Sequence, residues 1–349
     1  MSKRRAEDAP VTVRARAESR PAKIEALSEE ERQERTEPSE DVASSTASIT
    51  SSILEYRALN GRTFHSAAHA ADYFMPNDGQ QQESLDLVHH YLTLIMDGLL
   101  YLAPIPSDTE GLTVLDVGTG TGIWAIDFAD VHSDADVVGT DLSPIQPSWI
   151  PRNVRFEIED ATVDWSFRAD SFDFIHMRYL LGGISDWTAL FERAYRCCKP
   201  GGWVESVEVE PILYSDDGTT DGNPFIEKFA TLFLEASNKT GKSFIVPSDD
   251  VQRLGMEAAG FSDLQVVDFK VPMGGWPRDP RLAEVGRISH VALETDIEGY
   301  TMMLWHHVLQ WPLDGYQPFL DGMRKTLRDK RTHPYMKLRV VYGRKSETE

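Results

Sequence analysis

Positive charge and cysteine are both scarce in this 349-residue chain. Lys and Arg number 35 against 56 Asp and Glu, a formal charge of −21. Affinity for nucleic acid is built on arrays of Lys and Arg that neutralise phosphates, so no nucleic-acid partner is expected. The two cysteines, Cys197 and Cys198, are adjacent. They offer neither a disulfide framework nor metal-ligand spacing, and they suit a reducing compartment. Long apolar runs are missing too. The longest, residues 91–103, is interrupted by Asp97 and Gly98 and falls short of the roughly 20 residues of a membrane span. The start of the chain carries charge instead of an apolar export segment. The expectation is a cytoplasmic protein with no membrane partner. The Lys3-Arg4-Arg5 cluster leaves a nuclear share open, although an ordinary charged tail explains it. No metal is expected either: His65 and His69 have helical spacing, but no Glu follows the first and no third ligand is evident.

What is present is a core-forming composition, 41% hydrophobic, enough for one large domain with additions. Residues 1–54 have too few aromatics and too little apolar periodicity to offset ordering entropy. They are expected to be a disordered tail, and a route to protein partners. Residues 55–349 are expected to form one domain. Residues 55–110 would be a helical cover with a helix over 83–102, 111–210 a cofactor-binding core, 211–335 a substrate or lid region, and 336–349 the last strand and tail. Within the lid region, apolar spacing predicts a helix over 224–236. Another is predicted over 249–259, with Ser248 as N-cap and Gly260 as stop.

The most informative stretch is Val114-Leu115-Asp116-Val117-Gly118-Thr119-Gly120-Thr121-Gly122. An apolar strand ends in an acid, passes through three alternating glycines and enters a helix from Ile123. Glycines let backbone approach a ligand closely, and a helix start offers unpaired N–H groups. The spacing predicts a nucleotide-type cofactor at the carboxyl end of a first strand. A dinucleotide fingerprint needs a small residue where Ile123 stands, and Asp116 would repel a pyrophosphate. A positively charged ligand such as the amino group of S-adenosylmethionine suits that acid. A nicotinamide oxidoreductase is therefore disfavoured.

The following elements alternate between strand and helix. Residues 136–141 read as a second strand ending in Asp141, where a ribose diol is gripped. A third, 154–158, leads to Asp160 and Ala161, placed for an adenine edge, with Glu159 or Asp164 as substitutes after a register shift. Strands over 172–176, 203–209, 264–271 and 336–342 and a helix over 187–198 complete an α/β, doubly wound pattern.

These motifs, together with Phe172-Asp173 and Lys199-Pro200-Gly201-Gly202, resemble the ordered motifs of class I S-adenosylmethionine-dependent methyltransferases. Gly61-Arg62-Thr63-Phe64-His65, Tyr73-Phe74-Met75-Pro76-Asn77-Asp78, Gly122-Ile123-Trp124-Ala125-Ile126-Asp127, Asp141-Leu142-Ser143-Pro144-Ile145-Gln146-Pro147 and Ile184-Ser185-Asp186-Trp187 resemble the narrower LaeA-like fungal family. The resemblance implies a Rossmann-like, seven-stranded, mostly parallel sheet whose last strand runs antiparallel. A helical N-terminal addition and a helical insertion before the last strand complete that expectation. It also implies S-adenosyl-L-methionine as cofactor, held by Asp116, Gly118, Thr119, Gly120, Gly122, Asp141, Leu142, Asp160 and Ala161. Tyr56, Arg62 and Tyr73 are its candidates for the methionine carboxylate.

Methyl transfer from a sulfonium is an in-line displacement in which the protein mainly aligns the reactants. A base is needed only where the acceptor must lose a proton. His176, at the end of the fourth strand, is the candidate catalytic residue, and the competing reading is a histidine hydrogen-bonded beneath the cleft. Arg178 would orient substrate or pair with an acid, and at most one of Glu205 and Glu208 would point to the site. Trp165 would pack on adenine or belong to the core. Trp276, Trp305, Trp311 and Tyr316 would stack an acceptor or pack the lid. The expected function is methyl transfer to a small-molecule acceptor in fungal secondary metabolism. The alternative is a LaeA-like regulatory protein acting through protein partners.

Overall fold

The computed structural model describes residues 55–70, 72–105 and 111–347; the tail expected over 1–54 lies outside the described residues. Its centre is a seven-stranded sheet in the order β5-β4-β3-β6-β7-β9-β8. The strands are β3 (Thr113–Val117), β4 (Asp136–Asp141), β5 (Val154–Ile158), β6 (Phe172–Arg178), β7 (Cys198–Tyr214), β8 (Ser262–Pro272) and β9 (Tyr335–Arg344). β3, β4, β5, β6 and β7 pair in parallel, and β9 runs antiparallel to both β7 and β8. Two of the central strands are apolar on both faces, as helices on either side require: Val114, Leu115, Phe174 and Ile175 are fully buried.

The N-terminal addition opens as a hairpin, β1 (Tyr56–Leu59) and β2 (Arg62–Ser66), turned by Asn60 and Gly61 in left-handed backbone. His65 thus lies on a strand, not on a helix with His69. Helix α1 (Gly79–Ile95) follows, capped by Asp78. It stops short of the expected residue 102. Asp97 and Gly98 adopt left-handed backbone, and the Leu102 and Ala103 N–H groups go to Glu205 instead, both at 2.7 Å.

α2 (Ile123–Val131) and α3 (Trp187–Cys197) flank the sheet. β7 continues past the expected residue 209, through Pro211 to Tyr214, because β9 offers a partner as far as Tyr335; the register shifts between Glu210 and Tyr214, where proline lacks a donor. After α4 (Pro224–Thr240) comes a single turn, α5 (Val246–Asp249), then α6 (Val251–Ala259). Ser248 is therefore not an N-cap. Asp250 breaks the two helices with φ 56°, and Ser248 Oγ donates to Glu210 at 2.5 Å. Gly260 does end α6, at φ 99°.

The insertion before β9 holds α7 (Pro280–Thr295), α8 (Ile297–Met303), a π-helical turn (Leu304–Val308) and α9 (Tyr316–Leu327). α7 packs along α1 and α9 along α4. Arg62 ties these parts together, bonding Asp78 at the start of α1 and Asp296 at the start of α8. Among the described residues no helix is long and apolar enough to cross a membrane.

Candidate active site

A crevice of about 910 Å³ lies over the carboxyl ends of β3, β4, β5 and β6. The glycine loop forms one wall. Gly118, Gly120 and Gly122 all have positive φ, at 69°, 59° and 81°. Side chains would also collide at two of them: a Cβ on Gly118 would lie 2.5 Å from Leu180 Cδ2, and one on Gly122 2.4 Å from Phe156 Cζ. Thr119, Gly120 and Thr121 line the crevice; Asp116 does not.

Asp116 and His176 instead form the layer beneath the loop. Asp116 is 2% exposed and His176 0%. Thr119 Oγ1 donates to Asp116 Oδ2 at 2.6 Å, and the His176 Nδ1–H donates to Asp116 Oδ1 at 2.8 Å. The imidazole stacks flat on Trp124, centroids 3.7 Å apart, and burial lowers its pKa. His176 is absent from the crevice lining, so the geometry matches the alternative of a histidine held beneath the cleft.

Asp141 stands in the crevice, its Oδ2 accepting from Gly120 N at 2.9 Å and its Oδ1 from Ser143 N at 3.0 Å. Desolvation raises its pKa to about 6 against those hydrogen bonds. Leu142, Asp160 and Ala161 line the same space. Asp160 Oδ1 accepts from the Thr162 N–H and hydroxyl, at 2.8 and 2.6 Å. Glu159 also lines it: Oε1 accepts from Ser166 N, whereas Oε2 is buried without a hydrogen-bond partner. Asp164 points to solvent. Trp165 is buried outside the crevice lining, its indole N–H on Ala161 O at 3.3 Å.

Two features stand at the end of β6: Arg178, expected to orient substrate or to pair with an acid, and Tyr179, which was not singled out. Arg178 lines the crevice; among the described residues it makes no hydrogen bond or ion pair, and burial lowers its pKa. Tyr179 follows with φ 60°, a backbone state that costs a bulky residue about 1–3 kcal/mol. It is held there from several sides. Its N–H goes to Val207 O, its carbonyl accepts from Tyr73 OH, and its hydroxyl meets Tyr91 OH at 2.7 Å. The next two N–H groups, of Leu180 and Leu181, are taken by Glu208 at 2.8 and 3.1 Å. Glu208 thus backs the site, while Glu205 holds the segment after α1. Burial lifts Glu208 to about 8 and Glu205 to about 7.

The remaining candidates lie elsewhere. Arg62 is buried in its clamp with Asp78 and Asp296, away from the crevice, and Tyr73 does line it. Trp305 packs on Trp311, Tyr316 and Phe319, with centroids 4.8–5.2 Å away, and Trp276 packs on His333. These are lid-packing contacts.

The buried acids at successive strand ends, the unpaired acceptor of Glu159 and the cation of Arg178 fit a nucleoside carrying an amino acid. Together with the sheet order they define a class I S-adenosylmethionine-dependent methyltransferase. Residues 87–266 match the methyltransferase-domain family model, and the chain belongs to that family. It is 39% identical over 309 residues to methyltransferase pytC of Aspergillus terreus, covering 88% of this chain and 94% of that protein. It is 32% identical to secondary metabolism regulator LAE1 of Cochliobolus heterostrophus, over 82% and 94% of the two chains. To protein-methionine methyltransferase laeA of Emericella nidulans it is 31% identical, over 83% and 77%. The resemblance to LaeA-like fungal methyltransferases is thereby borne out, and S-adenosyl-L-methionine is the cofactor.

Proposed function

We propose that the protein methylates a small-molecule acceptor of fungal secondary metabolism. The observation that carries this is a second, mainly apolar pocket, which shares Val88 and Tyr179 with the cofactor crevice. A concave apolar space beside a cofactor is the usual form of a small-ligand site. The similarity to methyltransferase pytC over most of both chains supports the same reading.

In this reading Asp141 accepts from the ribose hydroxyls, and Asp160, Ala161 and the spare oxygen of Glu159 meet the adenine edge. Gly118, Thr119, Gly120 and Gly122 let the backbone approach the nucleoside, and Leu142 covers it. Asp116 acts through the loop, its charge under a bound cation. Arg178 supplies the counter-charge for the methionine carboxylate, in place of Arg62. His176 is a positioning residue that fixes Asp116. When bound, S-adenosylmethionine supplies an activated methyl group, and the protein's part is alignment.

Incubating purified full chain with tritiated S-adenosylmethionine and fungal extract separated into metabolite and protein fractions tests the assignment. Label in the metabolite fraction is expected. Label confined to proteins would favour the regulatory reading, as would transfer that appears only with a partner captured from native cells. A cytoplasmic site of action accords with the two buried, unpaired thiols.

A further inference from the structure

The second cavity tells more than that an acceptor binds there. Its walls come largely from the part of the chain that follows β6: Phe229 and Phe233 of α4, Leu293 of α7, Tyr300 of α8 and Met336 of β9, with Phe74 from the N-terminal addition. Among the described residues, none that lines it carries a carboxylate, ammonium, guanidinium or imidazole. Its hydroxyls are already engaged. Tyr91 meets Tyr179 at 2.7 Å, Tyr300 meets Ser84 at 2.8 Å, and Ser289 Oγ donates to Gly286 O at 3.1 Å. A cation or phosphate placed here would lose its hydration with no counter-charge to replace it.

We propose that this cavity is the acceptor site and that it takes an uncharged, mainly apolar compound whose nucleophile is an acidic hydroxyl, a phenol or an enol. The proposal rests on the methyltransferase reading above. The acidity follows from what the walls lack. A general base must lie within hydrogen-bond reach of the proton it takes, and among the described residues the only titratable groups lining the cavity are tyrosines. Burial raises Tyr91, Tyr179 and Tyr300 above the ordinary phenol value, so they remain O–H donors. Glu208, the acid behind Tyr179, has its two oxygens on the Leu180 and Leu181 N–H groups. The acceptor must therefore give up its proton through its own acidity, to water.

The balance is then complete. The hydroxyl proton leaves to solvent, and the acceptor oxygen, or the adjacent enolate carbon, forms a bond to the methyl carbon. The carbon–sulfur bond breaks and its electron pair stays on sulfur. The Tyr91–Tyr179 hydroxyl pair stands where both spaces meet and can donate to the oxyanion.

The test uses full chain saturated with S-adenosylhomocysteine, 2-naphthol as probe, and methionine methyls labelled with carbon-13. Naphthol is expected to bind at least tenfold more tightly than the cationic 2-naphthylmethylamine. It should show NOEs to the methyls of Met75 and Met336, both of which line the cavity. Ala292→Leu, which fills the same space from α7, should weaken naphthol at least tenfold while S-adenosylhomocysteine affinity stays within twofold. Equal binding of the amine, no naphthol binding at millimolar concentration, or binding without those NOEs would overturn the proposal. Loss of S-adenosylhomocysteine binding by the unsubstituted chain would overturn the methyltransferase reading instead. The NOEs decide the matter even if Ala292→Leu fails to fold.

Discussion

His176 donates to Asp116 across 2.8 Å directly beneath the glycine loop, with its ring flat on Trp124. The pair is a support for the loop, and the support has a testable signature. His176→Ala leaves a buried carboxylate short of one donor, a loss of about 1.5–3 kcal/mol. His176→Asn restores a donor near the same place. S-adenosylhomocysteine binding, read by calorimetry, should weaken in the Ala variant and recover in the Asn variant. A proton-accepting His176 would give a different result: turnover lost in both variants with cofactor affinity unchanged. Because burial lowers the His176 pKa, the unfolded chain binds the extra proton first as pH falls. Stability is thus lost below the ordinary histidine value, and less so in His176→Asn.

Asp141 carries its own pH dependence. Its carboxyl, raised to about 6 by burial, must be ionised to accept two ribose hydroxyls. Cofactor affinity should therefore fall as pH drops through about 6. Asp141→Asn converts one oxygen into a donor and should cost about 2–3 kcal/mol, roughly thirty- to a hundred-and-fifty-fold in Kd. It should also flatten the pH profile of binding. Calorimetric titration with S-adenosylhomocysteine between pH 5 and 7.5 measures both.

Glu208 predicts the opposite slope in stability. Its folded pKa of about 8 lies above the ordinary glutamate value. Between about pH 4.5 and 8 the folded chain keeps a proton that the unfolded chain has released, so stability falls as pH rises. Each proton so held contributes about 1.4 kcal/mol per pH unit. Urea unfolding at pH 6.5 and pH 8 should show that decline, reduced in Glu208→Gln. Glu208→Gln should also loosen the Leu180–Leu181 turn, because one of two N–H groups loses its acceptor.

The three loop glycines are not equivalent. At Gly120 nothing lies within 4 Å of an added Cβ, and only the backbone angle of 59° opposes a side chain. Gly120→Ala should cost about 1–2 kcal/mol. At Gly122 the new atom would overlap the Phe156 ring, adding about 1–3 kcal/mol of overpacking. Thermal unfolding should rank Gly122→Ala below Gly120→Ala, with cofactor affinity reduced in both.

Much of this was legible because local chemistry dictated it. Gly118, Gly120 and Gly122 advertise a left-handed turn, and β4 and β5 run over the residues their apolar alternation marks. What escaped the reading depended on partners distant in sequence. α1 ends early because Glu205, about a hundred residues on, captures the Leu102 and Ala103 N–H groups. β7 runs long because β9 pairs with it, and Ser248 turns to Glu210 instead of capping a helix. At the site, Asp116 was placed on the right strand but one layer too high, and of the two readings of His176 the geometry matches the one beneath the cleft. Strand periodicity fixes which face a side chain takes and not whether a loop covers it. The hairpin before α1 was missed because Arg62–Ser66 holds a single apolar residue, Phe64, and so none of the alternation that marks β5.

Arg178 provides the sharpest separation of roles. A guanidinium that lines the crevice without a hydrogen bond or ion pair from a described residue is costly to bury unless a ligand anion completes it. If that anion is the methionine carboxylate, Arg178→Gln should weaken S-adenosylhomocysteine by about 1.5–3 kcal/mol, the worth of a charged hydrogen bond. 5′-Methylthioadenosine has the same nucleoside and sulfur but no amino acid. Its affinity should be unchanged in the variant, whereas Asp141→Asn should weaken both ligands. A loss of equal size for the two ligands in Arg178→Gln would mean that the arginine shapes the nucleoside pocket, and the carboxylate would need another partner. Unchanged binding of both would mean that the guanidinium holds neither ligand, and the carboxylate would again need another partner.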